Sequence, residues 1–198
     1  MPISYGSKYF GWLVALIIMF IGGWFLLPAA YETLIMITLP QLGIWIKPIL
    51  VMVNLLIVNP LSNPIAFILW IVAGFIGGVI AGTKKGGVVV GIVAWLSCLL
   101  IVVFSGFMIL QSDADLGAIF NITVPPGYSL ADLLGIPILQ DFANYLLLPM
   151  LGIVSGGGGG FGFDMILQLL LPMIIFLFVP VFTVCIAAVI GAAVRPRE

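Results

Sequence analysis

Thirteen of the 198 residues carry a formal charge, and they sort by sign along the chain. Lys8, Lys84, Lys85, Arg195 and Arg197 flank one set of ends of long apolar segments. Glu32, Asp113, Asp115, Asp132, Asp141 and Asp164 lie in the two long connections between the opposite ends. A bias of Lys and Arg to one side sets the orientation of a multi-pass membrane protein, with the basic side in the cytoplasm. Lys47 is the one basic residue on the other side, and one residue does not reverse the count.

Hydrophobic residues make up 64% of the chain and charged residues 7%. A soluble domain carries about 25% charged residues, so a water-soluble fold is excluded. Histidine is absent, and Cys98 and Cys185 both fall inside apolar segments. Zinc, haem c and iron–sulfur centres therefore lack a ligand set, and no cofactor is expected. No basic tract points to a nucleic-acid partner. The first apolar segment is too long for the core of a cleaved leader, and it reads as a retained span.

Four segments are long and apolar: 10–30, 64–82, 88–110 and 165–194. Each meets or nearly meets the ~20 residues that cross a ~30 Å hydrocarbon core. Asn63-Pro64 places a capping side chain before a first-turn proline. Asp164 is placed to cap the fourth span, which is over-long and expected to tilt, to kink at Pro172 or Pro180, or to start as an interfacial turn. Tyr5, Tyr9, Trp12, Trp24 and Tyr31 suit the two interfacial belts of the first span. The short basic turn 83–87 belongs in the cytoplasm. By alternation both termini lie inside, and 31–63 and 111–164 lie outside.

Those outer connections are apolar themselves. Residues 33–58 are interrupted at Pro40 and at Lys47-Pro48, which predicts two short helices in a re-entrant or interfacial hairpin; one kinked crossing is the competing reading. Residues 129–154 repeat the style, with a Ser129/Asp132 capping box and breaks at Pro137 and Pro149. The predicted fold is all-α and integral to a membrane: four transmembrane helices and two broken outer hairpins in a single membrane domain, 1–198. Similar small-residue ends around Val79-Ile80 and Val189-Ile190 suggest an internal repeat of 1–85 and 86–198 along the membrane normal.

Gly74, Gly78 and Gly82 are spaced four apart on the second span. Gly87 and Gly91 on the third, and Ala187 and Gly191 on the fourth, continue the pattern. Small residues let helix backbones approach until dispersion holds them, in a solvent that supplies no hydrophobic drive. Such faces serve either a partner subunit or packing within the chain; packing is the favoured reading for most of them. Gly156, Gly157, Gly158, Gly159 and Gly160, followed by Asp164, form a candidate ligand or pore loop, against the favoured reading of a flexible linker. A carbonyl potassium filter uses a TVGYG-type strand, and no threonine precedes these glycines. Asp113 and Asp115 have the spacing of a two-carboxylate metal site but no EF-hand frame, so a solvated loop is favoured. Asn121-Ile122-Thr123 is a glycosylation sequon. Cys98 and Cys185 each lie roughly ten residues from their basic helix end, which predicts similar depth at 1.5 Å per residue.

None of the four spans contains Asp, Glu, Lys, Arg or His in its interior. Proton relays, voltage sensors and ion-coupled transporters place such a group within the membrane. Nothing there assembles an acid, a base, a nucleophile or a metal, so the chain is not expected to be an enzyme. The expected function is a non-catalytic structural or accessory subunit of a larger integral membrane complex, packed through its Gly/Ala faces. Its expected partners are the bilayer and other integral subunits or further copies of itself. The alternative is a small transporter, substrate-binding component or channel. Its site would lie between the outer hairpins and the Gly156–Gly160 loop, with Asn54, Asn59 and Asn63 as polar contacts.

Overall fold

Helix ends in this chain follow local capping chemistry more closely than they follow its prolines. The structure, a computed structural model, describes residues 6–27, 29–111 and 163–195. Among them are α1 (Gly6–Phe25), α2 (Ala29–Leu42), α3 (Ile46–Leu56), α4 (Pro64–Ala81), α5 (Lys84–Gln111) and α6 (Phe163–Val194), and no strand. Four helices, α1, α4, α5 and α6, are long and apolar enough to cross a membrane.

Asn63 starts α4 as the sequence predicts: its side chain accepts from the Ala66 N–H at 3.3 Å, and Pro64 fills the first helical position. Gly82 ends the helix at φ 67°, and its N–H donates to the Gly78 carbonyl at 2.9 Å. That left-handed cap strains any residue with a Cβ. Thr83 then caps α5, its hydroxyl accepting from the Gly86 N–H at 3.1 Å. The turn is therefore only Gly82-Thr83. Residues 84–87, predicted as turn, form the first turn of α5 instead, with Thr83 accepting from the Gly86 N–H through its hydroxyl and from the Gly87 N–H through its carbonyl.

The break in 33–58 also moves. Two helices form, but they part at Gly43, not at the prolines. Gly43 has φ 72° and its N–H donates to the Leu39 carbonyl at 2.9 Å, closing α2. Pro48 sits in the first turn of α3, where a missing N–H is one the helix could not have bonded anyway. Pro40 lies in the last turn of α2. The first span ends at Phe25, so Tyr31 belongs to α2 and is buried; it does not stand in an interfacial belt. The long helix α6 runs through Pro172 and Pro180 as one element.

The long helices pack antiparallel in succession. Gly11 of α1 faces Gly77 and Ala81 of α4, and Gly22 faces Leu69. Helix α4 packs between α1 and α6, while α5 packs on α6, α1 and α3. Met19, Trp70, Val90, Cys98 and Val184 fill the centre. Phe10, Ile17, Ile68, Phe75, Leu100, Phe107 and Phe182 point outward and are exposed. Apolar surface on every long helix is a liability in water and the required exterior in acyl chains. Four such helices are compatible with a multi-pass membrane protein. The predicted hairpin at 129–154 and the Asn121–Thr123 sequon lie outside the described residues.

Candidate functional site

Two features stand apart from ordinary apolar packing: a seam of small residues between α4, α5 and α6, and a knot of buried polar groups where α3 meets α4. The seam is built on the backbone of α6. A Cβ on Gly74 would lie 2.6 Å from the Val184 carbonyl oxygen and 3.1 Å from the Ala187 Cβ. One on Gly78 would collide with the Ala188 carbonyl, and one on Gly87 would lie 2.8 Å from that same oxygen. Ala188 thus rests between two glycines on different helices. In return, Gly191 meets the Phe75 carbonyl, and Gly91 meets Cys185, whose Sγ would be 2.7 Å from an added Cβ. Contact of backbone with backbone maximises dispersion where burial of apolar surface adds nothing.

Six of the seven residues predicted as a helix-packing interface therefore meet helices of the same chain. The seventh, Gly82, is buried and is the left-handed cap of α4. Gly77, beside the pattern, faces Val90, Gly11 and Ala15, so it joins α4 to α1 and α5. Cys185 lies at the level of Gly91 and Val88, two turns from Cys98 along α5, and both thiols are free. The two cysteines are not brought together: α5 begins at Lys84, so Cys98 lies deeper in the bundle than Gly91, which is the residue that faces Cys185.

The polar knot closes the last turn of α3, whose four final carbonyls have no helical donor. The Ile57 N–H donates to the Val53 carbonyl at 3.0 Å. The Asn63 amide donates to the Asn54 side-chain oxygen at 2.8 Å and to the Asn54 carbonyl at 3.3 Å. The Trp70 indole donates to the Leu55 carbonyl at 2.6 Å. The same Asn63 side chain caps α4 with its oxygen, so one residue ends one helix and begins the next. Asn54, Asn63 and Trp70 are all buried. An unbonded polar group in this setting costs about 1–3 kcal/mol, and each is bonded. Asn59 accepts from the Leu61 N–H at 3.1 Å and shapes the 57–63 link. Asn54 and Asn63 were legible as candidates; Trp70 was not, since an indole in an apolar run gives no sign that its N–H has an acceptor.

A second tie joins α1 to α5. The Trp12 indole donates to Ser97 Oγ at 3.0 Å, and that hydroxyl donates to the Val93 carbonyl at 2.7 Å. Lys47, the basic exception, lies 4.4 Å above the ring of Trp24, which stacks on Phe20. The ring face offers the ammonium an attraction that its apolar neighbours do not.

The candidate loop Gly156, Gly157, Gly158, Gly159, Gly160 and the Asp113/Asp115 pair lie outside the described residues. Asp164 falls in the first turn of α6. Among the described residues no group of three or more His, Cys, Asp or Glu is placed to hold a metal. Compared with family models, curated proteins and solved structures, the chain matches none.

Proposed function

We propose that the chain is a non-catalytic structural or accessory subunit of a larger integral membrane assembly. The observation that carries this reading is the state of the buried asparagines. Asn63 spends its side-chain hydrogen bonds on Asn54 and on the start of α4, and the Asn54 oxygens accept from it, so the polar groups best placed to hold a substrate act as joints. The absence of acidic and basic residues from the interior of the spans points the same way. The Gly/Ala faces hold the chain's own helices together, so partner subunits meet it on its outward apolar faces. Its basic helix ends, Lys8, Lys84, Lys85 and Arg195, face the cytoplasm, and α2–α3 is a re-entrant or interfacial hairpin of the outer leaflet.

Mild-detergent extraction from the native membrane, followed by intact-particle mass spectrometry, tests the reading. A stoichiometric assembly with other integral subunits is expected. A lone monomer or homo-oligomer overturns it and gives weight to the transporter alternative.

A further inference from the structure

We propose that the basic end of the bundle is a binding surface for anionic phospholipid headgroups of the adjoining leaflet. The inference does not depend on the subunit reading. Antiparallel packing brings the ends of all four long helices together here. Gly11 beside Ala81 sets the start of α1 against the end of α4, and Ala188 between Gly78 and Gly87 sets the end of α6 beside the start of α5. Lys8, Lys84, Lys85 and Arg195, far apart in sequence, so converge on one end. Lys84, Lys85 and Arg195 are exposed. Among the described residues the acidic positions, Glu32 and Asp164, belong to helix starts at the opposite end. Arg197 and Glu198 lie outside the described residues.

One further observation selects lipid over a soluble anion, and a second favours a phosphate at this end. Exposed apolar side chains run directly up to the charges: Tyr9 and Phe10 beside Lys8, Val88 and Val89 above Lys84 and Lys85, Ile190 and Val194 beside Arg195. Lys8 itself stands 5.3 Å over the Tyr9 ring. The cations therefore sit where acyl chains give way to headgroups, at phosphate depth and not on a stalk in solvent. Moreover, Lys84 and Lys85 occupy the first turn of α5, where a positive charge opposes the helix dipole. That local penalty is offset when a phosphate lies against the same turn. Clusters of four or more basic residues at the membrane edge attract acidic lipids by about 1 kcal/mol per side chain.

The test uses the full chain in nanodiscs of phosphatidylcholine with a minority of phosphatidylglycerol, with lipids retained on the protein counted by native mass spectrometry. Phosphatidylglycerol is expected to be enriched over its share of the disc, and the enrichment to fall as salt rises. The triple variant Lys84→Gln/Lys85→Gln/Arg195→Gln is expected to lower affinity for the acidic lipid on the order of 100-fold at low salt. Lys47→Gln, at the opposite end, is expected to leave it unchanged. Salt-insensitive enrichment, or equal enrichment in the triple variant, overturns the proposal. If the triple variant does not fold, the salt titration of the unaltered protein decides alone. Protection against unfolding by inorganic phosphate equal to that by phosphatidylglycerol identifies a soluble anion and also overturns it.

Discussion

The N–H of Val58 donates to the carbonyl of Phe176 at 3.4 Å. In an unbroken helix that carbonyl receives the N–H four residues on, but the residue there is Pro180, which has none. The link after α3 supplies a donor that α6 lacks, so the proline becomes a docking point for the connection between α3 and α4. Replacing Pro180 by Ala restores the internal donor and places it in competition with Val58. Faster amide exchange at Val58, with the helical content of α6 unchanged, is the expected outcome. Unchanged exchange would show that the docking does not depend on the proline.

Adding one methyl group at the tightest point of the seam should be costly. Gly78→Ala forces the new Cβ into the Ala188 carbonyl, and only backbone movement relieves it. Overpacking of this kind lowers stability by about 1–3 kcal/mol. Gly106→Ala is the matched control, because its Cβ would meet nothing within 4 Å. It should be neutral or stabilising by up to about 1 kcal/mol, the difference in helix propensity. Thermal unfolding of both variants in one detergent makes the comparison.

The two arms of Asn63 are separable. Asn63→Asp keeps an oxygen to cap α4 but loses the amide that donates to Asn54. Asn63→Ala loses both. Both variants should be less stable than the unaltered protein: the alanine by about 1 kcal/mol or more for the lost cap, and the aspartate because its second carboxyl oxygen, buried, faces the two Asn54 oxygens that the amide had bonded. A double-mutant cycle with Asn54→Ala should give a coupling of about 0.5–3 kcal/mol, since the pair is in contact. A coupling near zero would mean that the bond between the amides adds nothing to the joint.

Topology is testable at two loop positions. Leu61, 93% exposed, lies in the link between α3 and α4, and Thr83 lies in the turn between α4 and α5. A cysteine at 61 in a Cys98→Ala/Cys185→Ala background should react with an impermeant maleimide applied outside intact cells. A cysteine at 83 should react only after the membrane is opened. The reverse pattern would invert the orientation proposed from the basic ends.

The spans were legible because their signal is composition over some twenty residues, which no local contact overrides. The Asn63-Pro64 start was legible for the same kind of reason: cap and first-turn proline are adjacent in sequence. The hairpin break was not. Proline was read as an interruption, yet Pro48 occupies a first turn, which tolerates it, α2 runs on through Pro40, and Gly43 alone had the left-handed freedom to turn the chain. Tyr31 was misplaced because an aromatic residue beyond an apolar span looks the same whether it faces headgroups or enters a second helix. Gly82 fits the four-residue spacing and is also the cap of α4, a second role that spacing does not reveal. The carbonyls of Leu55 and Phe176 carry no identity in sequence, so the bonds that seat α3 could be seen only in three dimensions.

Helices α4 and α5 leave the same two-residue turn, yet one has 18 residues and the other 28. At 1.5 Å per residue the second outruns the first by about 15 Å. The exposed side chains Phe107 and Leu110 carry the oily exterior out to that height on α5, while the shorter α4 begins beside Ile65. Where these helices span a bilayer, one thickness does not match both rods standing upright, and the offset within a single hairpin is relieved by a lean of the protein or a slope in the surrounding lipid, at a fraction of a kcal/mol for each ångström of mismatch.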